Sequence, residues 1–360
     1  MSETPTLKYG LIGSGMMGIE HMLNLRLLPD VELVAIADPN QTSQKWGRDT
    51  GGEGVAIHDD PKALLERDDL DAVIISTPNF THAEVLRDVF QTDLHVLCEK
   101  PMCTTLEDCQ YVLEAAEKHR GVFWVAMEYR YMPPVTRMID ELRQGAIGQL
   151  RMLSIREHRL PFLKKVGDWN RFSRNTGGTL VEKCCHFFDL MRLMTQQEPV
   201  RVYASGAQDV NHLDERYDGE IPDILDNAYT VVDFDGGARA ALDLCMFAEA
   251  TRNEQEIAAV GDAGKLECFI PESKLVRGRR SEPRAIESEK IEVEERILKA
   301  GFHHGATYFQ HLAFREAVRS GKAPEVSARD GLLAVAMGAA AQRSIELGRP
   351  VEIAELLGDS

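Results

Sequence analysis

Three glycines constrain this chain more than any other feature. Gly13, Gly15 and Gly18 in "GLIGSGMMG" form G-x-G-x-x-G directly after the apolar run "KYGLIG", at the start of a helical pattern. Glycine there permits a tight turn and lets a pyrophosphate approach the backbone and rest on the helix N-terminus. Asp38 closes the next apolar run, "VELVAIAD", twenty residues after Gly18. An acid in that place hydrogen-bonds an adenosine ribose. Pro39 and Asn40 follow it, so no Arg or Lys stands ready to neutralise a 2′-phosphate. The pattern predicts NAD rather than NADP, with Gly13, Ser14, Gly15, Met16, Met17, Gly18 and Asp38 as cofactor contacts.

The surrounding pattern agrees with a nucleotide fold. "KYGLIG", "VELVAIAD", "DAVIIST", "LHVLCEK" and "VFWVAM", with a weaker "GVAIHD", read as strands. Helical segments begin between them near Met16, Gln41, Pro61, Asn79 and Thr104. Strands alternating with helices imply a parallel sheet with helical crossovers, and near-continuous apolar strands imply burial on both faces. Beyond Tyr131 the grammar changes. Pro133 opens a helix to Gln144, then comes a long strand, "LRMLSIREHRL", and later "VRVYASGAQ", "NAYTVVDF", "GARAALDLCMF", "EQEIAAVG" and "KLECFI". Turns at "DGG" and "GDAGK" join antiparallel neighbours. "PESKLVRGRRSEPRAIESEKIEVEER" reads as a solvated edge or excursion, and a helical region runs from about Gly305 to Gly348. The expected architecture is α/β: a Rossmann-type doubly wound parallel sheet over 1–128, then an α+β domain over 129–360 with a large open, mostly antiparallel sheet. A C-terminal helix of that second domain is placed to pack back on the first.

Bulk composition narrows the function class. A net charge of −17 over 360 residues opposes binding to nucleic acid or to an anionic membrane. Seven cysteines is an odd number, and a chain of this length needs no disulfide framework, so reduced thiols in the cytoplasm are expected. The opening "MSETPTLKYG" has neither a basic nor an apolar leader region.

"GGTLVEKCCHFFDLM", residues 177–191, has the residue types of a metal site: Glu182, Cys184, Cys185, His186 and Asp189. Adjacent helical residues point about 100° apart, so Cys184, Cys185 and His186 cannot share one ion without bending the helix. No metal is expected, and the two thiols read as small apolar filler. On a continuous helix Glu182 and His186, at i and i+4, project from one face and Asp189 extends it. Asp189 is expected to orient His186 or cap a neighbour.

Further motifs now line up: "STPNFTH" (76–82) after the fourth strand, "CEKPM" (98–102) after the fifth, "GGTLVEKCCHFFD", and the C-terminal "GKAPEVSARDGLLAVAMGAAAQRSIELGRPV". Together they resemble the Gfo/Idh/MocA family of NAD(P)-dependent sugar and cyclitol oxidoreductases over nearly the whole chain. The resemblance implies that Thr77, Pro78, Asn79, His82, Glu99 and Lys100 also contact the cofactor. It also implies that Lys100 and His186 lie beside the nicotinamide, with Glu182 as a third polar partner. The family commonly has Asp-x-Gly-x-His-x-x-Asp, whereas Glu182 here adds a methylene and Cys184 fills space usually left small. Chemistry supports those roles. Loss of hydride from a carbinol requires loss of the hydroxyl proton, for which histidine is a suitable base near neutral pH. A lysine ammonium stabilises charge developing on that oxygen.

Residues 151–174, "RMLSIREHRLPFLKKVGDWNRFSR", hold seven Lys or Arg against two acids, plus His158. Arg156 and His158 share one strand face, while Lys164, Lys165, Trp169 and Arg171 occupy the following loop. One reading is a pocket for an anionic sugar, and the other is a solvated face paired with acids of a neighbouring subunit. Trp169 and Arg171 are alternatively cofactor contacts, as a Trp-Arg pair is in some relatives.

Two enzyme classes follow. The first oxidises a ring hydroxyl of a sugar, an acidic one being favoured by the basic segment. The second is a redox-neutral NAD-dependent glycosidase, since "NRFSRNTGGTLVEKCCHFFDL" resembles the subgroup containing sulfoquinovosidases. That chemistry needs further acid–base groups, for which Tyr129, Tyr131, His158 and Lys183 are candidates. A non-catalytic NAD-binding regulator is the third class, disfavoured by the joint presence of Lys100, Glu182 and His186. Face-to-face dimers or tetramers through the open sheet are expected.

Overall fold

The computed structural model describes residues 5–358, so the first four residues of the segment inspected for a leader lie outside it. The chain opens with β1 (Leu7–Ile12), α1 (Met16–Leu25), β2 (Val31–Ala37), α2 (Gln41–Gly51), β3 (Ala56–His58), α3 (Pro61–Leu65), β4 (Ala72–Ile75), α4 (His82–Val89), β5 (His95–Glu99), α5 (Leu106–Ala116) and β6 (Phe123–Ala126). The six strands pair in parallel in the order β3-β2-β1-β4-β5-β6. Ala72–Ile75 and the strand residues Leu11, Ile12, Val96 and Leu97 are wholly buried, as a sheet covered on both faces requires. The order reverses between β1 and β4, which in doubly wound sheets marks the ligand crevice at the carboxyl ends of the strands.

The chain continues through α6 (Pro133–Arg143), β7 (Leu150–His158), the short helices α7 (Ser173–Thr176) and α8 (Thr179–Glu182), α9 (Cys185–Thr195), β8 (Pro199–Ala207), β9 (Asn227–Phe234), β10 (Arg239–Cys245), β11 (Gln255–Gly261), β12 (Gly264–Ile270), β13 (Lys274–Arg279) and β14 (Ile286–Lys290). It ends with α10 (Glu295–Leu298), α11 (Ala306–Ser320), α12 (Ala328–Leu347), β15 (Val351–Glu352) and α13 (Ala354–Leu357). Nine strands form the second sheet, β14-β13-β12-β11-β7-β10-β9-β8-β15. Every pair is antiparallel except β10 with β7. The charged segment after Ile270 supplies β13 and the exposed edge strand β14, whose row of Glu and Lys discourages further edge pairing. Alternation along β7 puts Leu153, Ile155 and Glu157 on the buried face and Met152, Ser154, Arg156 and His158 on the open one.

Two compact units result. The first combines Met1–Glu128 with Lys165–Trp169 and Glu294–Leu332, and the second combines Tyr129–Lys164 with Asn170–Val293 and Leu333–Ser360. Among the described residues no helix is long and apolar enough to cross a membrane.

Candidate active site

In the first unit the glycine loop has the shape its sequence predicts. Gly13 has φ +93, and a Cβ there would lie 2.7 Å from the Ser76 backbone. A Cβ on Gly18 would sit 2.4 Å from the Gly13 carbonyl oxygen, so that glycine closes helix on strand. Gly15 differs, because nothing lies within 4 Å of where its Cβ would be. It faces the open space a pyrophosphate needs, at the N-cap of α1. Asp38 Oδ2 accepts the Ser14 N–H (2.7 Å) and Oδ1 the Asn40 N–H (2.8 Å), which fixes the carboxylate at the end of β2. Met16 and Met17 open α1. Among the described residues the Nδ2 of buried Asn79 has no hydrogen-bond partner, a donor at a strand end suited to a polar ligand. These features fit a bound dinucleotide.

The other expected cofactor residues also make contacts within the chain. His82 sets Nδ1 3.0 Å from the Pro101 carbonyl and Nε2 3.1 Å from the Thr77 carbonyl, tying the loops after β4 and β5 together. Burial lowers its pKa. Thr77 Oγ1 accepts from Thr81, and Pro78 N-caps the 3₁₀ turn Asn79–Thr81. Glu99 Oε2 accepts the Lys100 N–H (3.1 Å), and its Oε1 lies 3.0 Å from His21 Nε2. Burial opposes ionisation of Glu99, but the hydrogen bond and charge of His21, aided by Lys100, hold its pKa below the usual value. Lys100 therefore leaves β5 next to a fixed buried carboxylate, ahead of the cis bond to Pro101. A second buried set is absent from the sequence reading. His303 Nδ1 lies 2.9 Å from Glu20 Oε1, and His303 Nε2 lies 3.7 Å from Glu128 Oε1. Burial, with the Glu99 charge, pushes Glu128 up to about 7.

In the second unit the Glu182–His186 helix is interrupted, which corrects the single continuous helix expected from sequence. α8 ends at Glu182 and α9 starts at Cys185. The Lys183 N–H bonds the Thr179 carbonyl (3.0 Å), and the Cys184 N–H reaches the same oxygen across five residues (3.4 Å). That wide turn breaks the i to i−4 ladder, so Glu182 and His186 belong to two helices. No Gly or Pro stands at the break. Tertiary contacts impose it: a Cβ on Gly338 of α12 would lie 2.4 Å from the Leu180 carbonyl oxygen. Lys183 is meanwhile drawn to a buried partner, its Nζ donating to the Tyr129 hydroxyl at 2.6 Å and lying 2.9 Å from Glu157 Oε1. The Cys185 thiol donates to the Glu182 carbonyl at 3.7 Å. Cys184 and Cys185 are buried, and among the described residues no group of His, Cys, Asp and Glu is arranged to hold a metal.

Glu182 and His186 are 2% and 1% exposed. The His186 ring stacks on Tyr129, centroids 4.1 Å apart and planes 4° apart. Tyr131, in the same 3₁₀ turn as Tyr129, is also buried. Asp189, expected to orient His186 or cap a neighbour, is engaged by the turn before α6. It takes the Arg130 guanidinium, with Arg130 Nε donating to Oδ2 at 2.6 Å, because α9 packs against the turn that carries Tyr129 and Arg130. Glu157 was legible after all as an acid on the apolar face of "LRMLSIREH", and the sequence reading passed over it.

The basic segment disperses. Arg156 donates to Glu256 (2.6 Å), and His158 Nε2 lies 3.1 Å from Asp243, both on the open sheet face opposite Glu157. Their acids come from the chain itself rather than from a neighbouring subunit. Arg171, 1% exposed, donates to Glu215 (2.9 Å). Burial opposes ionisation of Glu215, yet hydrogen bonds from His212, Tyr217 and Arg171 hold its pKa at about 2. Lys165 lies over the Trp169 ring at 4.5 Å, Trp169 meets Phe80 edge-on, and Lys164 is exposed.

Two family descriptions match the chain: an oxidoreductase-family NAD-binding Rossmann fold over residues 7–127 and an oxidoreductase-family C-terminal alpha/beta domain over 139–353. The chain is 27% identical to the myo-inositol 2-dehydrogenase of Thermotoga maritima, over 98% of this chain and 100% of that one. It is 26% identical to the NAD(+)-dependent scyllo-inositol 2-dehydrogenase of Bacillus subtilis, over 96% of each. Among solved structures, a probable dehydrogenase from Thermotoga maritima superposes with TM-score 0.79 at 25% identity, over 97% of this chain and 100% of that one. A levoglucosan dehydrogenase in complex with NADH and levoglucosan superposes with TM-score 0.85 at 20% identity, over 97% and 99%. The second likeness is one of fold.

Proposed function

Since the chain belongs to the Gfo/Idh/MocA oxidoreductase family and carries its NAD-binding fold, we propose that it oxidises a ring hydroxyl of a cyclic polyol or sugar. NAD held on the glycine loop would supply the hydride acceptor. His186 receives the hydroxyl proton, Lys100 stabilises the negative charge building on that oxygen, and Glu182 is the third polar group at the reacting carbon. The observation that carries this assignment is the burial of Glu182 and His186 on either side of a helix break, where proton transfer is shielded from water. Most cations of the 151–174 segment are neutralised within the chain, so the proposed substrate is neutral rather than anionic. The inositol dehydrogenases among the relatives support that class. The proposed setting is a reducing cytoplasm, supported by an odd number of cysteines, seven, in a chain long enough to need no disulfide framework, and the proposed partner is a second copy of the chain.

The redox-neutral glycosidase is the second reading, and the buried Lys183–Tyr129 pair favours it by supplying acid–base capacity beyond His186. Purified protein with NAD and a panel of inositols, hexoses, levoglucosan and nitrophenyl glycosides, a sulfoquinovoside included, separates the two. Stoichiometric NADH from a free polyol or sugar supports the dehydrogenase, whereas sustained nitrophenol release without net NADH supports the glycosidase. Lys100→Ala or His186→Ala is expected to abolish hydride transfer with NAD affinity held within a few-fold, and full turnover in either would overturn the roles.

A further inference from the structure

We propose that His21 and His311 are positioning residues for Lys100, acting through Glu99 on the turn from which the lysine leaves β5. The proposal rests on the reading of Lys100 as the group that stabilises the reacting oxygen.

Three elements of the first unit meet at Glu99. Its carboxylate, at the end of β5, accepts the Lys100 N–H on Oε2 at 3.1 Å and has His21 Nε2 3.0 Å from Oε1. His21 comes from α1, the helix capped by Gly15, and its Nδ1 lies 2.9 Å from Nε2 of His311 on α11. The two rings meet edge-on with centroids 5.1 Å apart. Both imidazoles are buried, so neither is placed to meet a ligand itself. Lys100 is only half-buried. On its other side the Pro101 carbonyl is tied to His82.

The acid sets the order of protons in this row. An ionised carboxylate only accepts, so His21 Nε2 carries the hydrogen toward Glu99. Which nitrogen of a histidine keeps its proton depends on the partner of the other one, here His311. Burial above all holds His311 neutral. Its Nε2 can give a hydrogen to a neutral His21 or take one from the cation, and in both cases the Nε2–H of His21 stays on Glu99. Among the described residues His311 Nδ1 has no hydrogen-bond partner. A polar atom left unfilled in a core costs stability, so apolar side chains would pack this place better. What the row supplies instead is a fixed negative charge beside Lys100.

Glu99 needs that support. Burial opposes its ionisation, and the hydrogen bond and charge of His21, with the charges of Lys100 and His303, keep it ionised. Such coupling is reciprocal, so the carboxylate favours the ammonium form of Lys100. The other titratable groups around the turn are His82 of α4, Cys98 of β5, Cys103 beyond it, and Glu128 after β6. Burial keeps His82 and Cys98 uncharged, and a hydrogen bond with Cys109 keeps Cys103 protonated. Glu128, pushed up to about 7 by burial and by the Glu99 charge, is the acid able to ionise in place of Glu99.

The test is competitive acetylation of the full chain with trace acetic anhydride from pH 7 to 11, Lys100 being read by mass spectrometry against an exposed lysine. Every variant is compared in a Glu128→Gln background, which removes the substitute acid. The half-labelling pH of Lys100 is expected to fall by about one unit, ten-fold in the amine-to-ammonium ratio, in His21→Leu, His311→Leu and Glu99→Gln. His21→Gln, whose amide can still donate to the carboxylate, should restore most of that loss. Glu99→Gln is nearly isosteric and carries the test if a leucine variant does not fold. With the polyol that the enzyme oxidises best, the alkaline limb of kcat/KM should move with the labelling. A half-labelling pH common to all variants overturns the proposal, and so does a limb that stays in place while the labelling moves. The labelling is read without substrate and decides the row by itself, whereas silence of the wild type toward every polyol and sugar overturns the oxidation reading.

Discussion

The ring of Tyr129 lies flat on the imidazole of His186, 4° from parallel, and a buried ion pair ties the two carriers together. Arg130, the residue after Tyr129, is 8% exposed and binds Asp189, one turn beyond His186 and 3% exposed. Removing one partner takes from a buried charge the opposite charge beside it. Asp189→Ala is therefore expected to cost about 3–5 kcal/mol of stability in denaturant unfolding. The joint replacement Arg130→Met with Asp189→Leu should recover most of that, because no lone charge remains. If the single and double variants unfold alike, the ion pair does not hold the turn.

Gly15 and Gly18 belong to one motif but do different work. A side chain at residue 18 meets the Gly13 carbonyl at 2.4 Å, whereas at residue 15 it meets nothing within 4 Å, and the Gly15 backbone (φ −71) suits any residue. Gly15→Val should leave the melting temperature nearly unchanged and weaken NAD binding by calorimetry at least about ten-fold, since its side chain fills the pyrophosphate space. Gly18→Val should lower the melting temperature. Equal effects of the two on stability would remove the distinction.

How much of this was legible depends on the range of the interaction that decides it. The first 128 residues were readable because apolar strands, glycine turns and helix starts are local signals, and each expected strand from "KYGLIG" to "VFWVAM" formed. The roles of Glu182 and His186 rest on motif, but the helix break between them has no local signal. It comes from α12 pressing on Leu180 and from Lys183 reaching Tyr129 across fifty-four positions. The pairing of the basic segment was not legible, because a run of like charge says nothing of the acids that meet it in space. Glu256 lies 100 residues from Arg156 and Glu215 lies 44 from Arg171. The cluster of Glu20, His21, Glu99, Glu128 and His303 is assembled from four separate stretches of chain and was invisible for the same reason.

That cluster should give the protein two opposed pH responses. Burial, with the Glu99 charge, raises Glu128 from 4.5 to about 7 against the opposing charges of His303 and Lys100. The folded state then holds a proton more tightly than the unfolded one, so stability from this group is present below pH 4.5 and is lost as pH rises through 7. Glu128→Gln should be more stable than wild type at pH 8, by on the order of 2 kcal/mol, and nearly equal to it at pH 5. Burial also works against Glu20, but the charge and hydrogen bond of His303 and the bond from Thr307 hold it at about 2. Its contribution is present above pH 4.5 and lost as pH falls through 2. Glu20→Gln should therefore destabilise at neutral pH, on the order of 2–3 kcal/mol, and less below pH 3. Denaturant unfolding from pH 3 to 8 checks both signs, and a parallel response of the two variants would refute the assignment.

The open face of the nine-stranded sheet suits a second copy of the chain. Tyr203, Val231, Ala241, Ser154 and Ala258 form one cross-strand row, with Tyr229 (68% exposed) and Met152 (61%) on the flanking rows. The charges of those rows are paired within the face, Arg156 with Glu256, His158 with Asp243 and Arg201 with Asp233, so covering it strands none of them. Small residues in the middle and large ones at the sides allow two copies to mate around a two-fold axis, each Tyr229 finding the low centre of the other. Light scattering on a sizing column is expected to give at least a dimer for wild type and a smaller species for Tyr229→Glu combined with Val231→Glu, with circular dichroism unchanged. A wild-type monomer, or an assembly indifferent to both acids, would exclude this face as the interface.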